Sequence, residues 1–107
     1  MTSRDSLPAG LLDAVKCYLG ITWHDDNTDT KIAGLTAAGI AYIDGKHGGQ
    51  AAYDADGLPR TLLFEYVRYA RDAALDVFEN NYRSMILAMQ HDKAVEDYVE
   101  TTESAEP

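Results

Sequence analysis

The stretch Pro59-Arg60-Thr61-Leu62-Leu63-Phe64-Glu65-Tyr66-Val67-Arg68-Tyr69-Ala70-Arg71-Asp72-Ala73-Ala74-Leu75-Asp76-Val77-Phe78 decides the fold. Leu62, Leu63, Tyr66, Val67, Tyr69, Ala70, Ala73, Ala74, Val77 and Phe78 recur at the spacing of one helical face and keep it for about five turns. Pro59 marks the start, because a proline in the first turn removes an N–H that would have no intrahelical partner anyway. The expectation is one long helix with Leu63 and Tyr66 facing a core.

Working outward, Asn80-Asn81 offers a stop and a new cap. Tyr82, Met85, Ile86 and Met89 then resume the period, as a fourth helix or a kinked continuation. Residues Glu96 to Pro107 hold five acids (Glu96, Asp97, Glu100, Glu103, Glu106) and no base. Such a Thr/Ser/Glu-rich segment buries too little apolar surface to order itself. The expected division is a helical domain over 1–95 and a disordered acidic tail over 96–107, which orders only on a partner.

Upstream, Gly45 to Gly57 reads as a long break with a turn at Asp54-Ala55-Asp56-Gly57, either a functional loop or the host of a short strand. Before it, Ile32, Leu35, Gly39, Tyr42 and Ile43 fit a second helix that begins near Thr28 or Asp29, with Thr28 as its cap. Gly34 and Gly39 each cost that helix up to about 1 kcal/mol against Ala. They are either tolerated weaknesses or places where another backbone comes close. A first helix carries Leu11, Leu12, Val15, Tyr18 and Leu19 on one face. Ser6 caps it, Pro8 sits in its first turn, and Gly20 lies just past its end. The fold class is therefore all-α: a small bundle of three to four helices, with a long loop between the second and third.

The chain has 107 residues and a formal net charge of −9. Its length suits one domain. One cysteine excludes a disulfide framework and a multi-thiolate cluster. No run of about 18 apolar residues exists to span a membrane. The first ten residues lack the apolar core of a signal peptide, so the expected site of synthesis is the cytoplasm. The acidic balance argues against a sequence-independent grip on nucleic acid.

Reactive constellations are sparse. His24-Asp25 and His91-Asp92 have the residue types of metal-dependent phosphohydrolases, but that chemistry needs further ligands and only His47 remains. The expectation is solvated residues at helix ends. Cys17 reads as a buried or half-buried structural thiol. Gly45-Lys46-His47-Gly48-Gly49 lacks the spacing of a phosphate loop and reads as a flexible loop. Asp25, Asp26 and Asp29 lack the central Gly and final Glu of a calcium loop and read as a solvated, capping acidic turn. On the third helix, Arg68 and Asp72 are spaced to pair. Arg60, Glu65, Arg68, Tyr69, Arg71, Asp72 and Asp76 form the candidate subunit interface, since arginine and tyrosine favour such contacts.

Taken together, these residues resemble a known family: the small all-helical head–tail connector (adaptor) proteins of long-tailed bacteriophages, of the type found in phages and prophages of Gram-positive bacteria. The resemblance rests on Leu11-Leu12-Asp13-Ala14-Val15-Lys16, Tyr18-Leu19, Ile21, Trp23 and Asp25-Asp26. It continues through Thr28-Asp29, Lys31-Ile32 and Gly39-Ile40-Ala41-Tyr42-Ile43-Asp44. Its most distinctive part is Pro59-Arg60, Leu62-Leu63-Phe64-Glu65-Tyr66, Arg68-Tyr69, Arg71, Ala73-Ala74-Leu75-Asp76, Phe78-Glu79 and Asn81-Tyr82. It spans roughly Leu11 to Met89 and leaves out the loop from Lys46 to Gly57 and the tail.

What the resemblance implies is a virion structural protein at the head–tail junction. It would be a subunit of a ring, twelve-membered to match the portal, that extends the DNA channel and carries the next connector or tail-completion protein. Neither enzymatic activity nor a cofactor is implied. A ring needs a heterologous interface, and an acidic ring lets DNA pass without gripping it. The competing readings are an acidic helical regulator that binds a basic protein and a small metal-dependent hydrolase.

Overall fold

The computed structural model describes Leu7, Pro8 and residues 10–105, with side chains as far as Val99. Among these residues the chain is helical throughout: α1 (Leu11–Leu19), α2 (Asp26–His47), α3 (Leu58–Arg71), α4 (Leu75–Asn81) and α5 (Arg83–Ala105). Five helices replace the expected three to four because the long pattern after Pro59 breaks once more than its periodicity suggests. No helix among the described residues is long and apolar enough to cross a membrane.

The extra break is at Asp72-Ala73-Ala74. Ala73 has φ 57°, in the left-handed region. The Ala74 N–H donates to Tyr69 O (2.8 Å) and the Ala73 N–H to Ala70 O (3.1 Å), the paired bonds of a Schellman ending. α1 ends the same way at Gly20 (φ 78°), and α2 ends at a left-handed Gly48 (φ 91°) whose N–H, with that of Gly49, donates to Asp44 O; glycine takes this conformation freely. α3 alone uses an alanine there. Ala73→Gly should therefore stabilise the fold by about 0.5–1 kcal/mol, raising the melting temperature by several degrees. No gain would mean that the alanine side chain makes a contact worth its strain.

The start of α2 also differs from expectation. Asp25, not Thr28, is the N-cap: its carboxylate accepts from the Thr28 N–H (2.9 Å) and the Thr28 hydroxyl (2.8 Å). These bonds hold the Asp25 carboxyl below the usual carboxylate range. α1 begins after Gly10, so Pro8 precedes the helix and offers its carbonyl to the Leu11 N–H (3.1 Å). Ser6 lies outside the described residues.

Leu62, Leu63 and Val67 of α3 form the middle of the core with Val15, Ile32, Ile43 and Phe78. The expected face is thus the buried one, with Tyr66 half-buried at its edge. α2 crosses α3 at Gly39. A Cβ built there would lie 2.7 Å from Leu63 Cδ1 and 2.8 Å from Tyr66 Cδ1, whereas at Gly34 it would meet nothing within 4 Å. The two glycines therefore have opposite meanings. Gly34→Ala should gain up to about 1 kcal/mol of helix propensity. Gly39→Ala should lose stability on balance, because overpacking costs about 1–3 kcal/mol. Thermal unfolding of the two variants should shift in opposite directions, and like shifts would refute the close approach.

The connection between α2 and α3 is neither a strand nor slack. α2 runs on to His47, so the glycine-rich segment read as a flexible loop is half helix. Beyond it, Tyr53 is buried and its hydroxyl donates to Asp44 Oδ1 (2.7 Å). The same oxygen accepts from the Ala51 N–H (3.0 Å), and Arg60 Nη1 donates to Tyr53 O (2.8 Å). Burial first, then the bond to Asp44, pushes the Tyr53 hydroxyl far above its ordinary pKa. α5 crosses the expected boundary at residue 96 without a break and continues to Ala105.

Candidate assembly surface

The candidate interface residues divide in two. Arg60, Glu65 and Tyr69 are employed inside the fold. Arg60 holds the loop through Tyr53 O, and its guanidinium lies 4.9 Å over the Phe64 ring. Tyr69 joins Tyr42, Tyr66 and Tyr82 around Phe78, with ring centroids of these four 5.1–6.0 Å from Phe78. The Tyr69 hydroxyl also accepts from Asn81 Nδ2 (3.2 Å). By contrast, Arg68, Arg71, Asp72 and Asp76 are exposed at the corner where α3 turns into α4.

Glu65 is the hub of the inner group. It accepts from the Tyr18 hydroxyl and from Arg68 Nε (2.9 Å). Arg68 therefore pairs one turn back with Glu65, not one turn ahead with Asp72. Burial alone would raise the Glu65 pKa, but hydrogen bonds from Tyr18, Tyr82 and Arg68 outweigh it and hold it low. Tyr82 is pushed up to about 12, by burial first and then by its bond to Glu65. Because Glu65 binds its proton less readily in the folded chain than in the unfolded one, its contribution to stability is full above the unfolded value of roughly 4.3. It is lost as pH falls through the lower folded value. Urea unfolding from pH 7 to 3 should show this acid loss, and Glu65→Gln should flatten it. An unchanged acid limb would place the dependence elsewhere.

Two further residues depart from expectation. Asp29 is not part of a solvated turn: it is 1% exposed and its Oδ1 lies 2.6 Å from Lys16 Nζ, itself 6% exposed. His24 Nδ1 stands 3.4 Å from the other Asp29 oxygen, with the imidazole in solvent. The signal for Lys16 was present, since it lies four residues after Leu12 on the apolar face of α1. Cys17 is exposed, not buried, because it falls between the stripe positions. Tyr18, expected on that face, is 46% exposed and leans its ring 5.2 Å from that of Phe64.

No group of three or more His, Cys, Asp or Glu side chains among the described residues is arranged to hold a metal ion. His24-Asp25 precedes α2, His91-Asp92 lies along α5, and His47 Nδ1 is 3.2 Å from Gly49 O. An open groove of about 500 Å³ runs between α2 and the loop, past Ala37, Ile40, Ala41 and Asp44. Its carboxylate, Asp44, is already occupied by Tyr53 and Ala51.

Compared with known proteins, the chain matches no family model, no curated protein and no solved structure. The functional reading therefore rests on the residues themselves.

Proposed function

We propose that this chain is a head–tail connector subunit of a long-tailed bacteriophage, one member of a ring beneath the portal that continues the DNA channel and receives the next connector or tail-completion protein. The observation that carries the reading is the division of the α3–α4 segment, the part with the most distinctive resemblance. Its apolar residues Leu62, Leu63, Val67 and Phe78 are spent on the core, while Arg68, Arg71, Asp72 and Asp76 remain outside. A charged corner of mixed sign suits a heterologous contact, where one face meets a different face of the next subunit. A net charge of −9 suits a channel that repels phosphate. The proposed activity is structural, with no cofactor, and the proposed location is the virion.

Native mass spectrometry of the purified chain, followed by co-sedimentation with portal, tests this. A ring of about twelve copies, alone or on portal, is expected. Failure to associate with portal in either state would overturn it. The second reading, an acidic regulator of a basic protein, is favoured by the exposed Asp92, Glu96 and Asp97 on α5. It requires a monomer or dimer whose binding to a basic protein weakens steeply with salt.

A further inference from the structure

α5 has two apolar faces, and the protein's own core uses one. Ile86 and Met89 are buried, and Gln90 Nε2 donates to Lys46 O (3.0 Å) on the same side. On an adjoining face, Leu87, His91, Ala94 and Tyr98 follow one another at intervals of four, three and four residues, and all are exposed. That interval is the seam of a two-helix coiled coil. Leu87 is 56% exposed, Tyr98 72% and the flanking Val95 47%. Every described residue from Ala94 to Val99 is exposed, so α5 runs past the body that anchors it.

We infer that this seam pairs with the same seam of a second copy, the two α5 helices running antiparallel. A second copy presents both the matching seam and the Arg83 end that the acidic half can lie along, and charge selects the direction. Between Arg83 and His91 the one formally charged residue is Arg83, whereas from Asp92 to Ala105 five acids face one base, Lys93. Parallel pairing would bring the two acidic halves together. Antiparallel pairing lays each acidic half along the Arg83 end of the other helix and separates like charges. Arg83 and Asp97 lie on the same edge of the seam, the edge that faces its own kind in an antiparallel pair. The midpoint falls between His91 and Ala94, so Leu87 packs beside Tyr98 of the second copy and His91 beside its Ala94. The contact is isologous and closes as a dimer. It does not rest on the connector reading, whose ring needs a heterologous surface.

Sedimentation velocity of the full chain from micromolar to submillimolar concentration should show a monomer–dimer equilibrium. Combining Leu87→Ser with Tyr98→Ser should weaken it by about tenfold or more, with an unchanged thermal melt since both side chains are outside the core. Direction is read by cross-linking in a Cys17→Ser background with a short bis-maleimide. His91→Cys should link efficiently and Ser84→Cys should not, because antiparallel pairing holds the two copies of residue 84 about 26 Å apart. Equal linking at both positions would overturn the antiparallel pair. A monomer at every concentration would overturn the dimer while leaving the portal test open.

Discussion

Replacing Lys16 by Met is expected to cost about 3–5 kcal/mol of folding stability, measured by urea unfolding at neutral pH. The methionine keeps much of the aliphatic volume, so the loss is electrostatic. Asp29 is as deeply buried as the core leucines, and Lys16 Nζ approaches it at 2.6 Å. Without the ammonium, a carboxylate desolvated on folding loses its counter-charge. The N-terminus of α2 offsets part of this, as Asp29 lies in its first turn. Adding Asp29→Leu to Lys16→Met should restore most of the loss, because a buried pair exchanged for apolar residues is often neutral or better. A single-variant loss below about 1 kcal/mol would mean that the pair behaves like a surface ion pair.

Phe78→Ala should be comparably severe, at about 3–5 kcal/mol. α4 is seven residues long and buries Phe78 as its anchor. A helix that short has little stability of its own. The ring sits among four tyrosines, edge-on to Tyr42, Tyr66 and Tyr69 and stacked on Tyr82. Its removal opens a cavity at the junction of α2, α3, α4 and α5 and loses edge contacts worth about 0.5–1.5 kcal/mol each. Phe78→Leu, which keeps most of the volume, should lose only about 1–2 kcal/mol. Near-ultraviolet circular dichroism should report the loosened tyrosines in the Ala variant. Unchanged tyrosine signals with full stability would show that α4 is held by other contacts.

These two effects differ in how far they could be read in advance. Phe78 ends a ten-residue apolar pattern that marks it as a core candidate, although the helix breaks at Ala73 and Val77 of the same pattern is exposed. The Lys16–Asp29 pair joins two helices across 13 residues, and the eye reads Asp29 first as one more acid in Asp25-Asp26-Asn27-Thr28-Asp29. The candidate surface was legible to the same degree. Arg71, Asp72 and Asp76 are outside as expected. Arg60, Glu65 and Tyr69 were drawn inward by Tyr53, Tyr18 and Phe78, partners up to 47 residues away in the chain.

The sequence by itself determined that the chain is helical, that α1 stops at Gly20, that α3 carries Pro59 in its first turn, and that Leu62, Leu63 and Val67 point inward. Each of these follows from periodicity or from the conformational limits of glycine and proline, which act within a turn or two of the backbone. Only the tertiary structure decided that Ala73 turns left-handed, that Gly39 is required where Gly34 is not, and that Asp44 pins Tyr53. Alanine is a good helix former and nothing local forbids its continuing, so the break at Ala73 is imposed by the need to bring Phe78 back onto α2 and α3. A glycine's neighbours across a helix crossing, and the partner of a buried charge, are set by which surfaces meet in three dimensions.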